Sequence, residues 1–331
     1  MKTHEPLIVT CTYSREPEFA RRLYDQVAAD RLLSSRIRMH VPLERGEKEQ
    51  ILPETQVYAT FRFSPEEFAV ARRLKWIQIG MAGVDSALFP AMRDSNVIVT
   101  SSVGLHDETV PYVAWAFVLA FATGLHEAYR QKSAHIWDRR AVVVTRRILS
   151  QHLLLIVGTG RIGQRIALLA KHAGMTVWGV RRRTTGPKPH YFDRVFSRRA
   201  LHSALRQADF VILIVPGGEA TAQMIGAEEL ACMKPSAYLI NMARGSVVDE
   251  PALIAALQNG TIAGAGLDVY ATEPLPPNHP FYDLPNVAMT PHISGDTLDY
   301  PWRAAQLFLK NLRRYVTGKP LFNVVDKRRG Y

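Results

Sequence analysis

At 331 residues, 47% hydrophobic and 21% charged, the chain has the composition of a soluble globular protein and the length for two domains with a large buried core. Its 41 Lys and Arg against 30 Asp and Glu leave a formal charge of +11, but the arginine doublets, such as Arg21-Arg22 and Arg139-Arg140, are scattered without a zinc-finger, basic-zipper or RNA-recognition signature, so a surface that steers small anions is expected and a nucleic-acid partner is not. No apolar run is long enough to cross a membrane, residues 7–9 are too short for a signal-peptide core, and Cys11 and Cys232 suggest neither a disulfide framework nor a metal site, which makes the cytoplasm the expected address.

The N-terminal part alternates strand and helix signals. Residues 7–12 are strand-like, 18–33 carry a helical period, and 37–41 and 56–61 are short strand candidates. Ser64-Pro65-Glu66-Glu67 is a capping box with proline at the first helical position. A strand is expected at 76–79, a turn through Gly80-Met81-Ala82-Gly83-Val84-Asp85, a strand at 96–100 and one long helix over 108–132. From residue 153 the βα alternation is regular, with strands at 153–157, 176–180, 210–215, 237–241, 264–269 and 287–290, the spacing of a doubly wound parallel sheet. The last helix, 297–316, follows the completed second sheet and is expected to return to the first domain.

The continuous apolar run Leu153 to Val157 reads as a buried parallel strand leading into Gly158-Thr159-Gly160-Arg161-Ile162-Gly163. Gly158 permits the tight turn, Gly160 lets the backbone approach a pyrophosphate, and Gly163 lets the next helix pack close to the sheet. That helix, 161–172, points its N-terminal N–H groups at the anion. Strand, glycine turn, helix and second strand together are the context that makes this spacing a dinucleotide site. An acid at the end of the second strand accepts a ribose 2′-hydroxyl, but none stands between Val177 and Pro187. Arg181, Arg182 and Arg183 occupy the place, and guanidinium groups suit a 2′-phosphate, so NADP is expected over NAD.

Three further segments place reactive side chains beyond strand ends, where an open parallel sheet forms its ligand crevice: Asn241-Met242-Ala243-Arg244-Gly245, Asp268 to Pro274, and Thr290-Pro291-His292-Ile293-Ser294-Gly295. Arg244 can fork onto a carboxylate and a carbonyl oxygen. His292 can give that oxygen a proton as hydride arrives, and Glu273 can hold the imidazole.

With these residues the chain resembles the D-isomer-specific 2-hydroxyacid dehydrogenase family over nearly its whole length, from Leu74-Lys75-Trp76-Ile77-Gln78 and Ala82-Gly83-Val84-Asp85 through the glycine loop to Thr290-Pro291-His292 and Asn323-Val324-Val325-Asp326-Lys327. The basic loop makes it most similar to the glyoxylate/hydroxypyruvate reductase branch. The resemblance implies two Rossmann-like doubly wound parallel-sheet domains with a cleft between them: residues 1–101 with 293–331 for substrate, and 102–292 for the dinucleotide. It implies Arg244, Glu273 and His292 as the catalytic set, with the Ala82 and Gly83 N–H groups joining Arg244 on the substrate carboxylate. Asp268 would hold the nicotinamide carboxamide. Around the glycine loop, with Arg161 and Ile162, the cofactor would be lined by Val215, Pro216, Thr221, Met242, Ala243, His292, Ser294 and Gly295.

The resemblance further implies a homodimer, with Trp137 similar to a tryptophan that reaches a partner's active site. Departures from the family pattern are Trp115 in place of an acid, Gln151-His152 before the strand, and the aromatics of Tyr300-Pro301-Trp302, which either narrow the pocket or pack against the other domain. Arg62 reads as a solvated arginine. The expected activity is NADPH-preferring reduction of glyoxylate, hydroxypyruvate or a related 2-oxo acid. The alternatives are an NAD-dependent enzyme for a larger 2-oxo acid, or a dinucleotide-sensing corepressor that the charge keeps open.

Overall fold

The structure, a computed structural model, describes residues 5–44, 46–182 and 187–330. They form two compact units, Met1–Leu105 with Thr297–Tyr331, and His106–Asp296. The sequence reading put the crossings at 101/102 and 292/293; the chain's own contacts put them at 105/106 and 296/297.

The first unit is built on β1 (Leu7–Cys11), β2 (Ile37–His40), β3 (Val57–Thr60), β4 (Trp76–Ile79) and β5 (Ile98–Thr100), all parallel in the order β2-β1-β3-β4-β5. Alternation across the strands separates two apolar layers. Val57, Ala59 and Trp76 face the layer that holds Phe19, Leu23 and, from the C-terminal helix Tyr300–Val316, Ala304, Phe308 and Leu312. Tyr58, Ile77 and Ile79 face the other, with Phe63 and Met92. A glutamine in a fully buried strand needs partners, and Gln78 has them. Its Oε1 accepts from Thr100 Oγ1 (2.8 Å) and Asn311 Nδ2 (2.9 Å), and its Nε2 donates to the Ser101 carbonyl (3.1 Å). That network ties β4 and β5 to the C-terminal helix.

The second unit carries β6 (Leu153–Val157), β7 (Thr176–Arg181), β8 (Arg194–Ser197), β9 (Phe210–Leu213), β10 (Tyr238–Asn241), β11 (Gly264–Leu267) and β12 (Val287–Met289). All pair in parallel, in the order β12-β11-β10-β9-β6-β7-β8. Leu155 and Val157 of β6 face one core and Leu154 and Ile156 the other, so both faces of the sheet are covered. The chain runs outward from β6 through β7 to β8, then restarts at β9 on the opposite side of β6. The switch point therefore lies between β6 and β9, where open α/β sheets bind their ligands.

Two expected helices are broken in the structure. The helical signal at 18–33 ends at Ala29, and Asp30 caps a second short helix, Arg31–Ser34, by accepting from Leu32 N and Leu33 N (3.1 and 3.3 Å). The signal at 108–132 splits into Val110–Thr123 and Leu125–Ser133 at Gly124, which has φ +77. Among the described residues no helix is long and apolar enough to cross a membrane.

Candidate active site

Each glycine of the loop after β6 has a distinct geometric reason. Gly158 has φ +114, and a Cβ there would stand 2.2 Å from the Ile214 carbonyl oxygen. A Cβ on Gly163 would stand 2.1 Å from the Gly158 oxygen, so the Arg161–His172 helix can sit this close to the turn only with glycine at its third position. Gly160 is different: nothing lies within 4 Å of its Cβ direction, and its φ of −72 is open to any residue. The packing therefore does not explain Gly160, and an anion approaching the backbone at the helix N-terminus does. The loop fits a dinucleotide pyrophosphate.

Arg181 ends β7, and Arg182 follows it, exposed; Arg183 lies outside the described residues. Arg181 Nη2 donates to the Pro187 carbonyl at 3.4 Å. The next acid downstream, Asp193, is committed at the opposite end of the strand, where its carboxylate accepts from Val177 N (2.7 Å) and Lys171 Nζ (3.0 Å). Burial raises and these bonds lower the Asp193 pKa, with a net shift downward. It is in place as an anion, but not where a ribose would meet β7.

The three downstream segments meet at the carboxyl ends of β10, β11 and β12. In the first, the Asn241 side chain cross-braces the turn, accepting from Ala243 N and donating to the Arg244 carbonyl, both at 3.0 Å. Met242 and Ala243 are buried, and Arg244 is half-buried with its Nη1 on the Ala243 carbonyl (2.8 Å). A Cβ on Gly245 would lie 1.9 Å from the Tyr270 carbonyl, so the turns bearing Arg244 and Glu273 pack backbone to backbone.

Asp268, 1% exposed, anchors the third segment. Its Oδ1 accepts from Thr290 Oγ1 (2.7 Å) and Ile293 N (3.0 Å), and its Oδ2 from Ser294 N (3.3 Å). His292 sits within that anchored turn at φ +53. Tyr270 supports it from below, its hydroxyl facing the Leu267 and Thr290 carbonyl oxygens at 3.0 and 2.8 Å. Burial, with Asp268 adding to it, pushes the Tyr270 hydroxyl above its ordinary pKa, which keeps it a donor. Glu273 then bridges the two segments: Oε1 accepts from Tyr270 N (3.0 Å) and Oε2 lies 2.6 Å from His292 Nδ1. With Nδ1 held by a carboxylate, the tautomer is fixed and Nε2 is the nitrogen left to exchange a proton. Asn241, Gly245, Tyr270 and Thr290 were not marked as site residues by sequence. Their work is bracing: Gly245 by close backbone approach, Asn241 and Tyr270 by bonds to backbone, and Thr290 by its hydroxyl on Asp268, none of which residue type advertises.

The remaining expected residues fall as follows. Val215 and Pro216 extend beyond β9, and Thr221 turns its hydroxyl onto its own loop, donating to the Pro216 oxygen at 2.7 Å. Ser294 is buried, and a Cβ on Gly295 would meet His106 Nε2 at 2.9 Å. Trp115 is half-buried against the sheet core of the second unit. In the first unit, Ala82 and Gly83 stand half-buried in the turn after β4, and Arg62 is exposed. Tyr300 and Trp302 pack within the first unit: Tyr300 stacks on Phe61 and donates to the Gly80 oxygen (2.7 Å), while Trp302 meets Phe19 edge-on and carries Arg22 over its ring.

Residues 115–294 match the family described as D-isomer specific 2-hydroxyacid dehydrogenase, NAD binding domain. The chain is 34% identical over 272 residues, 80% of each chain, to the glyoxylate reductase of Thermococcus gammatolerans. It is 37% identical over 253 residues, 74% of this chain and 75% of the other, to glyoxylate/hydroxypyruvate reductase B of Yersinia enterocolitica. Among solved structures it resembles the D-isomer specific 2-hydroxyacid dehydrogenase of Xanthobacter autotrophicus in complex with NADPH and MES, at TM-score 0.82 and 28% identity over 99% of this chain and 100% of that one.

Proposed function

The chain belongs to the D-isomer specific 2-hydroxyacid dehydrogenase family, and from that premise we propose that it reduces a small 2-oxo acid, glyoxylate or hydroxypyruvate foremost, to the D-2-hydroxy acid with NADPH as the preferred reductant. The observation that carries the reading is the Glu273–His292 pair, 2.6 Å apart on braced turns beside Arg244. Bound NADPH supplies the hydride that adds to C2 of the substrate. Arg244 binds the substrate carboxylate and carbonyl oxygen through its planar fork, and the Ala82 and Gly83 N–H groups bind carboxylate. His292 enters protonated and gives its Nε2 proton to the carbonyl oxygen, leaving a neutral ring whose Nδ1–H still faces Glu273. In the oxidation direction the same Nε2 takes the hydroxyl proton back.

The glycine loop takes the pyrophosphate, and Asp268 takes the carboxamide side of the cofactor as well as holding the His292 turn. The NADPH preference is supported by arginines at the end of β7 with no acid there to accept a ribose hydroxyl. The relative from Xanthobacter autotrophicus, solved with NADPH, points the same way. Free Cys11 and Cys232 suit a reducing compartment, and the cytoplasm is the proposed one. We also propose a homodimer, on the exposed apolar side chains around Trp137.

The test is initial-rate reduction of glyoxylate and hydroxypyruvate with NADPH and with NADH, wild type beside Arg181→Asp/Arg182→Ser. Turnover favouring NADPH in kcat/KM is expected, with that preference lost in the variant while NADH activity persists. Equal use of the two cofactors by wild type overturns the preference, and absence of turnover with any 2-oxo acid overturns the activity.

A further inference from the structure

Arg161 is the first residue of the helix that follows Gly160, and its Nε donates to Asp107 Oδ2 at 2.6 Å. Asp107 lies in the turn ahead of the Val110–Thr123 helix, with its side chain 13% exposed, whereas that of Arg161 is 71% exposed. The bond engages Nε alone. Among the described residues, Nη1 and Nη2 of Arg161 make no hydrogen bond, and Asp107 has no other polar partner. Beside them is the one glycine of the loop with nothing within 4 Å of its Cβ direction. A surface arginine samples many rotamers, and fixing it through Nε leaves the Nη pair as a pre-set fork.

We propose that Asp107 is a positioning residue for the dinucleotide: it fixes the Arg161 guanidinium so that Nη1 and Nη2 meet the pyrophosphate oxygens over Gly160. This rests on the dinucleotide reading above. An aspartate near a phosphate is electrostatically unfavourable by itself. Here its charge is matched by the guanidinium it holds, so its contribution is orientation, and orientation separates experimentally from charge. Asp107→Asn keeps an acceptor for Nε and removes the charge. Asp107→Ala removes both.

NADPH, ADP and AMP are titrated into wild type, Asp107→Ala, Asp107→Asn, Arg161→Ala and the Asp107→Ala/Arg161→Ala double variant at one ionic strength. NADPH is followed by its fluorescence and the others calorimetrically, with circular dichroism as the folding control. Asp107→Ala is expected to weaken NADPH and ADP about tenfold, as losing a pre-aimed charge-assisted contact does, with Asp107→Asn within about twofold of wild type. AMP, which has no pyrophosphate, is expected to bind all variants alike. The double variant is expected to bind no worse than Arg161→Ala, because the two residues act as one unit. NADPH binding to Asp107→Ala as tight as or tighter than wild type overturns the proposal, as does additive loss in the double variant. Wild type that binds neither NADPH nor NADH overturns the dinucleotide reading itself.

Discussion

His292 occupies a left-handed backbone conformation, φ +53, that an L-residue adopts at a cost of about 1–3 kcal/mol. The turn is held there by three bonds to Asp268 and by the Tyr270 hydroxyl below it, so the side chain proposed as acid/base is set by its surroundings. Glu273 then decides which ring nitrogen carries the fixed proton. Glu273→Gln retains a hydrogen-bonding group of the same shape and discards the negative charge. We expect kcat/KM for 2-oxo acid reduction to fall about 10–100-fold, the scale of losing a charge-assisted hydrogen bond, with the NADPH dissociation constant unchanged. Full activity in that variant would remove Glu273 from the mechanism. That Arg244, Glu273 and His292 stand just past strand ends was legible in the sequence, because each follows an apolar strand signal in the order the sheet delivers it. Asp268 was legible only as a cofactor contact. That it accepts from Thr290, Ile293 and Ser294 depends on where β11 and β12 end relative to each other, which no spacing encodes.

The strands of the second sheet are legible because a parallel strand covered on both faces must be apolar throughout, as Leu153 to Val157 is. β8, Arg194-Val195-Phe196-Ser197, escaped notice because it is an edge strand, polar at both ends. The helix breaks escaped for the opposite reason: the helical period continues across Asp30 and Gly124, and only the local cap and the left-handed glycine end each helix. The glycine loop separates architecture from binding within a single turn. Gly163→Ala places a methyl group 2.1 Å from the Gly158 oxygen and should destabilise the protein by about 1–3 kcal/mol or more, seen as a lower midpoint in urea unfolding. Gly160→Ala meets open space at an ordinary φ and should leave that midpoint within about 0.5 kcal/mol of wild type, while weakening NADPH binding several-fold by obstructing the pyrophosphate. A Gly160→Ala variant that binds NADPH normally would show that the anion does not approach this backbone.

Exposed apolar side chains are unevenly distributed over the molecule. Of the eighteen large hydrophobic residues exposed among the described residues, eight lie between positions 112 and 148, on three helices that pack on one another, Val110–Thr123, Leu125–Ser133 and Arg139–Thr145, and on the chain flanking them. Scattered singly, such residues need no explanation, but clustering does. Trp137 is 97% exposed, Val144 64% and Ile148 63%, and tryptophan is on average among the more buried residue types. A second copy of the chain is the occupant we propose, and self-association would bury the same residues on both sides of a twofold axis. Val144→Glu/Ile148→Glu sets like charges into the proposed interface twice over. We expect wild type to behave as a dimer by sedimentation at micromolar concentration and the variant to shift to monomer, with its circular dichroism retained because neither side chain is buried in the fold. Wild type sedimenting as a monomer would remove the dimer. A variant that remains dimeric would place the interface on another face, and the exposed tryptophan would then need a different explanation.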